Sequence, residues 1–301
     1  MIDMIVWLNG RLVKSEDAKI SVFDRGFLFG DGIYEVIRFF NERPIGMDLH
    51  IARLARSLAL THIDGFDAAQ FAEICRVLLK ENDLSNAAIY FQVSRGAAAT
   101  RTHMPPKGMQ PTVFACASVC GGIEDLETPT TCACAVAKDL RWQHCQIKST
   151  ALLGNLLPMF DIAEMGAEEA ILIRDGFVSE GTSTNVFAVV QGRLVTPPVE
   201  SDPPILNGVM RTRLLEACAQ SGIPCAVTPM TEAQLRGASE IVLTASRRMF
   251  SSVTSLDGTP VGCGSIGPIA RRANNALVER LRAECGYAPR DAWVAPPILA
   301  S

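Results

Sequence analysis

Short hydrophobic runs separated by turn residues open the chain, and this pattern predicts β-structure. Residues 5–8 and 12–13 flank Asn9-Gly10, a pair that supplies the two positive φ angles of a type I′ turn, so a hairpin is expected there. Further strands of the first half are predicted at residues 33–40, 89–93 and 112–119. The last two flank residues 95–111, a loop of small, basic and proline residues.

Two helices are predicted between these strands. Residues 50–60 carry apolar side chains at helical spacing, at Ile51, Leu54, Ala55 and Leu58. A second helix would begin at a capping box between Asp67 and Gln70. Its buried face would consist of Phe71, Ile74, Cys75 and Leu78.

The second half of the chain follows Gly121-Gly122 and a polar run, which interrupt the pattern. Short strands are predicted at residues 131–137, 170–173, 177–179, 185–190 and 194–196, and helices at residues 152–165, 207–222 and 269–285. We therefore expect an α+β fold of two domains, a small N-terminal domain of residues 1–121 and a C-terminal domain of residues 122–301. No G-x-G-x-x-G follows a strand, and the hairpin-rich sheets do not fit a dinucleotide-binding unit.

The composition narrows the function classes without selecting one. The chain has 301 residues, of which 48% are hydrophobic and 20% are charged, enough for one large core or two medium ones. A formal net charge of −4 and the lack of any Lys/Arg-rich run favour a small-molecule substrate over nucleic acid or an acidic membrane surface. No apolar segment approaches about 18 residues, and residues 1–10 lack the features of a signal peptide, so we expect a cytoplasmic protein.

Cysteine and histidine spacing argues against a metal centre. The ten cysteines include close pairs such as Cys132/Cys134, but none forms a C-x-x-C knuckle with a partner pair, and we expect reduced thiols in the core. None of the four histidines lies at helical metal-ligand spacing from another, so no bound metal is expected.

The most informative chemistry lies in two short segments. Ile147-Lys148-Ser149 predicts a buried lysine, and Glu180 follows Lys148 by 32 residues, at the start of a turn of glycine and hydroxyl residues. Burial destabilises a charged amine, and a neutral amine can form a Schiff base with an aldehyde. A carboxylate beside a pyridine nitrogen keeps that nitrogen protonated, so the pair suggests pyridoxal phosphate chemistry. A solvated lysine and an ordinary turn are the alternatives.

An anionic cofactor group would bind at helix N-termini, where unpaired N–H groups and the positive end of the helix dipole point outward. We predict two such N-termini, at residues 207–210 and 244–246, with ordinary helix caps as the alternative for each. Arg53 could clamp the same phosphate with two hydrogen bonds, or could be solvated on the polar side of its helix.

A second anion-binding group is suggested by Arg101 and His103. In extended backbone, side chains two residues apart leave the same face, so this pair could grip one carboxylate. Tyr34 could add a hydroxyl group. A solvated loop and a tyrosine packed on a strand are the alternatives.

Several motifs together resemble one enzyme family over nearly the whole chain, from Trp7 to about Val261. They are DRGFLFGDGIYEV at residues 24–36, IYFQVSRG at residues 89–96, Arg141-Trp142 with Ile147-Lys148-Ser149, and EGTSTNVF at residues 180–187. With these motifs the chain resembles the fold-type IV, or class IV, pyridoxal-phosphate-dependent aminotransferases. Within that class it is most similar to the D-amino-acid aminotransferases.

The resemblance implies transamination between D-amino acids (D-alanine, D-glutamate, D-aspartate) and 2-oxo acids such as 2-oxoglutarate and pyruvate, in ping-pong order through pyridoxamine phosphate. Lys148 would bind pyridoxal 5′-phosphate covalently and move the proton between the substrate α-carbon and the cofactor. Glu180 would pair with the pyridine nitrogen. The other cofactor contacts implied are Arg53, Thr182, Ser183, Thr184, Leu206, Gly208, Val209, Met210, Ala245 and Ser246.

The same resemblance assigns substrate binding to Tyr34, Arg101 and His103, which match the residues that hold the α-carboxylate in D-specific relatives. There the arginine and the histidine come from the neighbouring subunit, so a homodimer with a shared active site is implied. If the substrate α-carboxylate is fixed on one side of the cofactor, only one enantiomer can present its α-hydrogen to the amine of Lys148. The L-branched-chain relatives and the lyases of this fold do not usually carry the R-x-H loop.

Departures from the family pattern lie close to the implied site. Met210 and Ala245 replace hydroxyl residues that relatives often carry, so Met210 could contact the phosphate only through its backbone N–H. Arg247, Arg248 and Met249 replace small polar residues and a glutamate. Either arginine would reach the side-chain carboxylate of D-glutamate or D-aspartate, or both would be solvated or in contact with another subunit.

Other activities of the same fold are the closest alternatives, namely an L-branched-chain or (R)-amine transaminase and an aminodeoxychorismate lyase. A protein that holds the cofactor without catalysis is a more distant alternative. Retention of both Lys148 and Glu180 argues against it, because a scaffold needs neither residue.

Overall fold

The computed structural model describes residues 4–202 and 204–287. Two β-sheets with helices packed against them form this part of the chain. The predicted C-terminal domain extends to residue 301, so its last segment, residues 288–301, lies outside the described residues.

The first sheet contains six strands, and each neighbouring pair is antiparallel. In chain order they are β1 (Ile5–Leu8), β2 (Arg11–Lys14), β3 (Gly32–Phe40), β4 (Arg43–Pro44), β5 (Ala87–Ser94) and β6 (Thr112–Val119). Their spatial order is β2-β1-β6-β5-β3-β4. The predicted hairpin is confirmed, because β1 pairs with β2 and the φ angles of Asn9 and Gly10 are 48° and 83°.

Three helices belong to this half of the chain: α1 (Arg25–Phe29), α2 (Met47–Thr61) and α3 (Gln70–Glu81). The predicted buried face of α3 is confirmed, with Phe71, Ile74, Cys75 and Leu78 at most 3% exposed. The predicted capping box is wrong, because Asp67 accepts a hydrogen bond from Ala69 N in a preceding turn and no side chain caps the helix. The sequence pattern did not predict α1.

Helix α2 differs from its predicted stripe in one respect. Ala55 is exposed, and the helix buries Arg53 and Ser57 beside Leu54 and Leu58. A charged group on a buried face needs partners within the fold, because burial without them is costly. The position of Arg53 is therefore a first indication of a specific role.

The second sheet contains nine strands, all from residues 130–260. They are β7 (Thr130–Lys138), β8 (Glu169–Arg174), β9 (Phe177–Gly181), β10 (Asn185–Val190), β11 (Arg193–Thr196), β12 (Cys225–Val227), β13 (Ile241–Ala245), β14 (Met249–Leu256) and β15 (Thr259–Pro260). Their order is β12-β11-β10-β13-β14-β7-β8-β9, with β15 paired to β14. The sheet is mixed, because β7 runs parallel to β8 and β14, and β12 runs parallel to β11. Strands β12 to β15 were not predicted.

Helices α4 (Leu153–Ala163), α5 (Val209–Gln220), α6 (Glu232–Arg236) and α7 (Pro268–Glu284) complete the described second half. All except α6 confirm predicted helices. Helices α5 and α7 share one buried cluster, in which Leu214 and Leu277 pack with Phe187 of β10. This packing fixes the N-terminal end of α5 relative to the second sheet.

Hydrophobic contacts join the two halves of the chain. Phe40 and Ile45 of the first half are buried in the cluster of α5 and α7, whereas Ile147 of the second half is buried among residues of the first sheet. The domain boundary at residue 121, between the last strand of the first sheet and the first strand of the second, remains a prediction.

No helix among the described residues is long and apolar enough to cross a membrane. The ten cysteines are free thiols, but only some lie in the core: Cys116, Cys120 and Cys225 are half-buried and Cys263 is exposed. The described residues contain no group of three or more His, Cys, Asp or Glu side chains that could hold a metal ion.

Candidate active site

A cavity of about 920 Å³ is lined by residues from both halves of the chain. Tyr34 of β3 lies on its wall with Lys148, which precedes α4. The predicted cofactor residues also line it: Arg53, Lys148, Glu180, Thr182, Ser183, Thr184, Leu206, Gly208, Val209, Met210, Ala245 and Ser246. Tertiary folding thus brings together groups from distant parts of the sequence, and their roles remain predictions.

The segment that carries Lys148 is anchored to the first sheet. Tyr34 N donates a hydrogen bond to the carbonyl of Lys148 at 2.9 Å, and Ser149 forms a β-bridge with Ile33. The hydroxyl of Thr150 donates to carbonyls at the start of β3. The side chain of Lys148 is half-buried on the cavity wall, whereas a buried lysine was predicted, because one side of it faces the open cavity.

The amine of Lys148 lies over the ring of Tyr34. Its Nζ is 4.3 Å from the ring centroid, within the range of a cation–π contact. Tyr34 stacks on Tyr90 with ring centroids 5.6 Å apart, and burial raises the pKa of Tyr90 to about 12. The two stacked rings therefore support the lysine amine from the side of the first sheet.

Glu180 lies near the end of β9 and is buried. Its Oε1 accepts a hydrogen bond from Arg141 Nη1 at 2.9 Å. Its Oε2 accepts hydrogen bonds from Leu206 N at 3.1 Å and from the side-chain amide of Asn185 at 3.3 Å. Burial raises the pKa of Glu180, and the charge of Arg141 opposes this shift. Three donors thus fix the orientation of this carboxylate.

Arg141 is itself held by Asp139, which sequence reasoning did not assign to the site. Nε and Nη2 of Arg141 donate to the two carboxylate oxygens of Asp139 at 2.9 and 3.0 Å, and Ser179 Oγ donates to the same group at 2.7 Å. Burial would raise the pKa of Asp139, but Arg141 and Ser179 hold it at about 2. The bidentate pair fixes the guanidinium that reaches Glu180. Its position two residues before Arg141 was the sequence signal that could have identified Asp139 as a partner of this arginine.

Arg53 is only 5% exposed, so the solvated alternative is wrong. Its Nε donates to Glu35 Oε1 at 2.8 Å and its Nη1 donates to the carbonyl of Asn207 at 2.9 Å. His50 Nδ1 lies 2.7 Å from Oε2 of Glu35. Burial would raise the pKa of Glu35, but Arg53 and His50 lower it to about 2. Sequence reasoning missed Glu35 and His50, although the helical spacing of His50, Arg53 and Leu54 could have indicated a shared buried face.

The N-terminus of α5 lies on the cavity wall beside Arg53. Gly208 is the N-cap and no side chain caps the helix, so the N–H groups of Val209 and Met210 lack partners within the helix. The side chain of Met210 is packed in the core, which leaves its backbone for a ligand. A Cβ at Gly208 would lie 1.9 Å from Asn185 Oδ1, so a larger residue there would displace the Asn185 side chain, which contacts Glu180.

The second predicted helix N-terminus, at residues 244–246, is wrong. Thr244 and Ala245 end β13, which lies between β10 and β14, and Ser246 begins the turn into β14. The β-branched residues Ile241 and Val242 favour a strand here. All three residues nonetheless line the cavity, and the buried hydroxyl of Thr244, like that of Thr184, has no hydrogen-bond partner among the described residues.

Glu169, another residue that sequence reasoning missed, holds the turn after Glu180. It accepts hydrogen bonds from the hydroxyl of Thr182, from Thr182 N at 2.8 Å and from Ser183 Oγ at 2.7 Å. Glu169 is buried, so these contacts are shielded from solvent. The hydroxyls of Thr182 and Ser183 are therefore engaged within the protein, whereas that of Thr184 is not.

Arg101 and His103 do not line the cavity of their own chain. Both are exposed, and both contact Phe29: Arg101 Cζ lies 4.8 Å from its ring centroid and the His103 ring lies at 5.8 Å. The two side chains therefore share one face, as their spacing predicts. Arg25 donates to the carbonyls of Thr102 and His103 at 2.6 and 2.9 Å, which fixes the backbone of this loop.

The cavity contains the groups that pyridoxal phosphate requires. Lys148 offers an amine for the aldehyde, Glu180 offers a carboxylate for the pyridine nitrogen, and Arg53 with the N-terminus of α5 offers donors for the phosphate. Buried polar atoms normally have hydrogen-bond partners, so the unpartnered hydroxyls of Thr184 and Thr244 are consistent with a polar ligand here. The residues present therefore fit this cofactor.

The family model and the most similar curated proteins that this chain matches are all aminotransferases. A family model described as amino-transferase class IV matches residues 32–256. The chain is 37% identical to the D-alanine aminotransferase of Bacillus licheniformis over 93% of this chain and 98% of the relative. It is 35% identical to the D-alanine aminotransferase of Staphylococcus haemolyticus over 89% of this chain and 94% of the relative.

Similar solved structures include branched-chain aminotransferases. The enzyme of the archaeon Thermoproteus uzoniensis, solved with norvaline, has a TM-score of 0.82 at 24% identity, with 94% of this chain and 95% of that chain covered. The Escherichia coli enzyme has a TM-score of 0.84 at 24% identity, with 97% of each chain covered. At these identities the likeness shows the fold alone, which is the expected two-domain fold-type IV architecture.

Proposed function

Because this chain belongs to the class IV aminotransferases, we propose that it transfers the amino group of D-amino acids to 2-oxo acids. Donors would include D-alanine, D-glutamate and D-aspartate, and acceptors would include pyruvate and 2-oxoglutarate, in two half-reactions of ping-pong order. Enzymes of this class use pyridoxal phosphate. Relatives named D-alanine aminotransferase, at 33–37% identity, support the choice of D-amino acids.

One observation carries the proposal: a lysine amine and a buried, oriented carboxylate line the same cavity. Bound there, pyridoxal phosphate supplies an aldehyde that captures amines and a ring that accepts the electron pair left at the α-carbon. The Nζ atom of Lys148 would take the proton from the substrate α-carbon and deliver it to the cofactor. Glu180 would hold its negative charge opposite the ring nitrogen.

The phosphate would be bound by main-chain and side-chain donors. Arg53 would add a charged donor to the N–H groups of Val209 and Met210 at the N-terminus of α5. Ser246 would supply a hydroxyl from the turn after β13. Since Arg53 is held by Glu35 and by the carbonyl of Asn207, it would need little reorganisation when the phosphate arrives.

The substrate α-carboxylate would be bound across a homodimer. Tyr34 would contact it from the same chain, and Arg101 and His103 would reach it from the partner subunit. Both residues are exposed and neither lines the cavity of its own chain, which supports this arrangement. A dimer interface would also cover exposed apolar side chains, which include Val22, Phe27, Met104, Leu140, Leu153 and Phe160.

The proposed geometry would select a single enantiomer, and the relatives named D-alanine aminotransferase support the D-form. If the carboxylate is fixed by Tyr34 and the partner's loop, and the amine of Lys148 approaches from one side, then only one enantiomer places its α-hydrogen within reach of that amine. The ten free thiols fit a reducing compartment, so we place the enzyme in the cytoplasm.

The test is the visible absorption of the purified, cofactor-loaded protein before and after addition of D-alanine, and separately of L-alanine. A band that is lost with D-alanine only, and restored by 2-oxoglutarate, would support the proposal. Lys148→Ala is the control and should lack the lysine-dependent band. A response to L-alanine or to simple amines alone would contradict D-specificity, and a flat spectrum in the loaded protein would contradict the assignment of Lys148.

A further inference from the structure

Two arginines lie on the cavity wall without a role in the proposed reaction. Arg247 and Arg248 belong to the turn between β13 and β14, next to Ser246. Both line the cavity that contains Lys148. They lie in a turn of the second sheet, whereas Tyr34 lies on β3 of the first sheet.

The other guanidinium groups of this cavity are already paired with buried carboxylates. Arg53 is held by Glu35, and Arg141 is held by Asp139 and Glu180. Both guanidinium groups are engaged by these carboxylates, and Arg53 is in addition assigned to the phosphate, so neither is free for a substrate side chain.

Arg247 and Arg248 differ from them. Among the described residues, no ion pair within 4 Å involves Arg247, which is exposed. Arg248 Nη2 lies 3.8 Å from Oε2 of Glu168, whose side chain is 55% exposed, and such a long, solvated contact contributes little. Two cationic groups of the cavity are therefore available to an anionic ligand.

We propose that Arg247 and Arg248 bind the side-chain carboxylate of dicarboxylic substrates, namely D-glutamate, D-aspartate and 2-oxoglutarate. This inference rests on the proposed function. A substrate whose α-carboxylate is held on the Tyr34 side extends its side chain away from that group, and the turn of the second sheet offers cations for the distal carboxylate. Guanidinium groups bind carboxylates with two parallel hydrogen bonds, which gives geometric selectivity as well as affinity.

The two arginines would make the enzyme prefer D-glutamate over D-alanine. D-Alanine has no distal carboxylate and gains nothing from the two arginines. D-Glutamate would gain a charge-assisted contact, and the return half-reaction with 2-oxoglutarate would gain the same contact. The arginines would act mainly on binding, because the distal carboxylate takes no part in the proton transfer at Lys148.

The experiment compares Arg247→Ala, Arg248→Ala, the double variant and the corresponding lysine variants, all as holoenzymes, with D-glutamate and D-alanine. Loss of charge-assisted hydrogen bonds predicts a fall in kcat/KM for D-glutamate of roughly tenfold or more in the double variant, mainly through KM. The value for D-alanine should change less than about twofold. The lysine variants should recover part of the loss. Arg76→Ala, an exposed arginine outside the cavity, is the matched control and should leave both values unchanged.

A second measurement does not depend on turnover. Calorimetric titration of the holoenzyme with glutarate and with butyrate should show tighter binding of glutarate in the wild type and equal binding in the double variant. An unchanged ratio of D-glutamate to D-alanine in an active double variant would overturn this inference and leave the proposed function intact. A wild-type enzyme that transaminates no D-amino acid would overturn the proposed function, and the inference with it.

Discussion

The guanidinium of Arg25 donates a hydrogen bond of 2.9 Å to the backbone carbonyl of His103, across a separation of 78 residues. Arg25 is only 6% exposed, and its Nε donates to Asp31 at 2.7 Å. Asp31 also accepts from Arg95, at the start of the loop that carries Arg101 and His103. The loop is thus fixed to its own subunit before any partner is bound, which preorganises the two groups that would reach the neighbouring site.

Replacement of Arg25 by glutamine should loosen that loop. We expect KM for D-alanine to rise by roughly tenfold, because charge-assisted hydrogen bonds to two carbonyls are lost, while the cofactor absorption band persists. The measurement is steady-state kinetics beside the visible spectrum, with Arg76→Gln as the exposed control. An unchanged KM in a folded, cofactor-loaded Arg25→Gln protein would contradict the role of this contact.

Mixed dimers test the shared active site. Lys148→Ala chains and Arg101→Ala chains should each be nearly inactive, since one lacks the amine and the other lacks the carboxylate-binding arginine. After dissociation and reassociation of an equal mixture, hybrid dimers would contain one intact site, and we expect about a quarter of the wild-type activity. In the control mixture, the Arg101→Ala chain is replaced by a chain that carries both substitutions, so no dimer contains an intact site. If the mixture regains no more activity than this control, Arg101 does not act across the interface.

Acid sensitivity should follow from Glu35. Its pKa is about 2 in the folded protein and 4.5 ordinarily, so its contribution to stability is present above about pH 4.5 and is lost as the pH falls towards 2. That contribution is on the order of 3 kcal/mol. In Glu35→Gln, Arg53 would lose its buried charge partner, and we expect a free energy of unfolding lower by roughly 3–5 kcal/mol near neutral pH.

The check is urea unfolding of wild type and Glu35→Gln at several pH values from neutral to about pH 3. The difference between the two proteins should shrink as the pH falls below about 4.5, because Glu35 of the unfolded wild-type protein then takes up a proton more readily than Glu35 of the folded protein, whose pKa is about 2. Comparing the two proteins at each pH removes the contribution of Asp139, whose pKa is also about 2. A difference that is constant with pH would show that Glu35 contributes no charge interaction.

The pH profile of the reaction should depend on Arg141. Burial raises the pKa of Glu180 and Arg141 opposes that rise, so removal of Arg141 should raise this pKa further. The charged form of Glu180 is present above its pKa and is lost as the pH falls through it. We therefore expect the acidic limb of kcat/KM to move to higher pH in Arg141→Gln, measured with D-alanine.

Two variants control for general damage by the Arg141 substitution. Arg141→Lys retains a positive charge and should shift the acidic limb less than Arg141→Gln does. Arg174→Gln removes another arginine that contacts Asp139, at 3.0 Å, but not Glu180, and should leave the limb in place. Equal shifts in all three variants would contradict a specific effect of Arg141 on Glu180.

Local patterns predicted most of the elements that frame the site. Positive φ preferences at Asn9-Gly10 and apolar spacing in α2 and α3 act over a few residues, so they can be read without the fold. Residues 244–246 show the limit of such patterns. A Thr-Ala-Ser sequence suits a helix cap or the end of a strand, and pairing of β13 with the distant β10 on one side and with β14 on the other selects the strand.

The amino-acid sequence by itself determined the family and the residues that could hold the cofactor, because its motifs match residue by residue over most of the chain. Only the tertiary structure decided how those residues are supported. Arg53 is buried because Glu35 lies across from it on β3, and Glu180 is oriented because Asp139 fixes Arg141. Charges far apart in sequence become partners only when the sheets bring them together, and burial then makes the contact strong, since water no longer screens it.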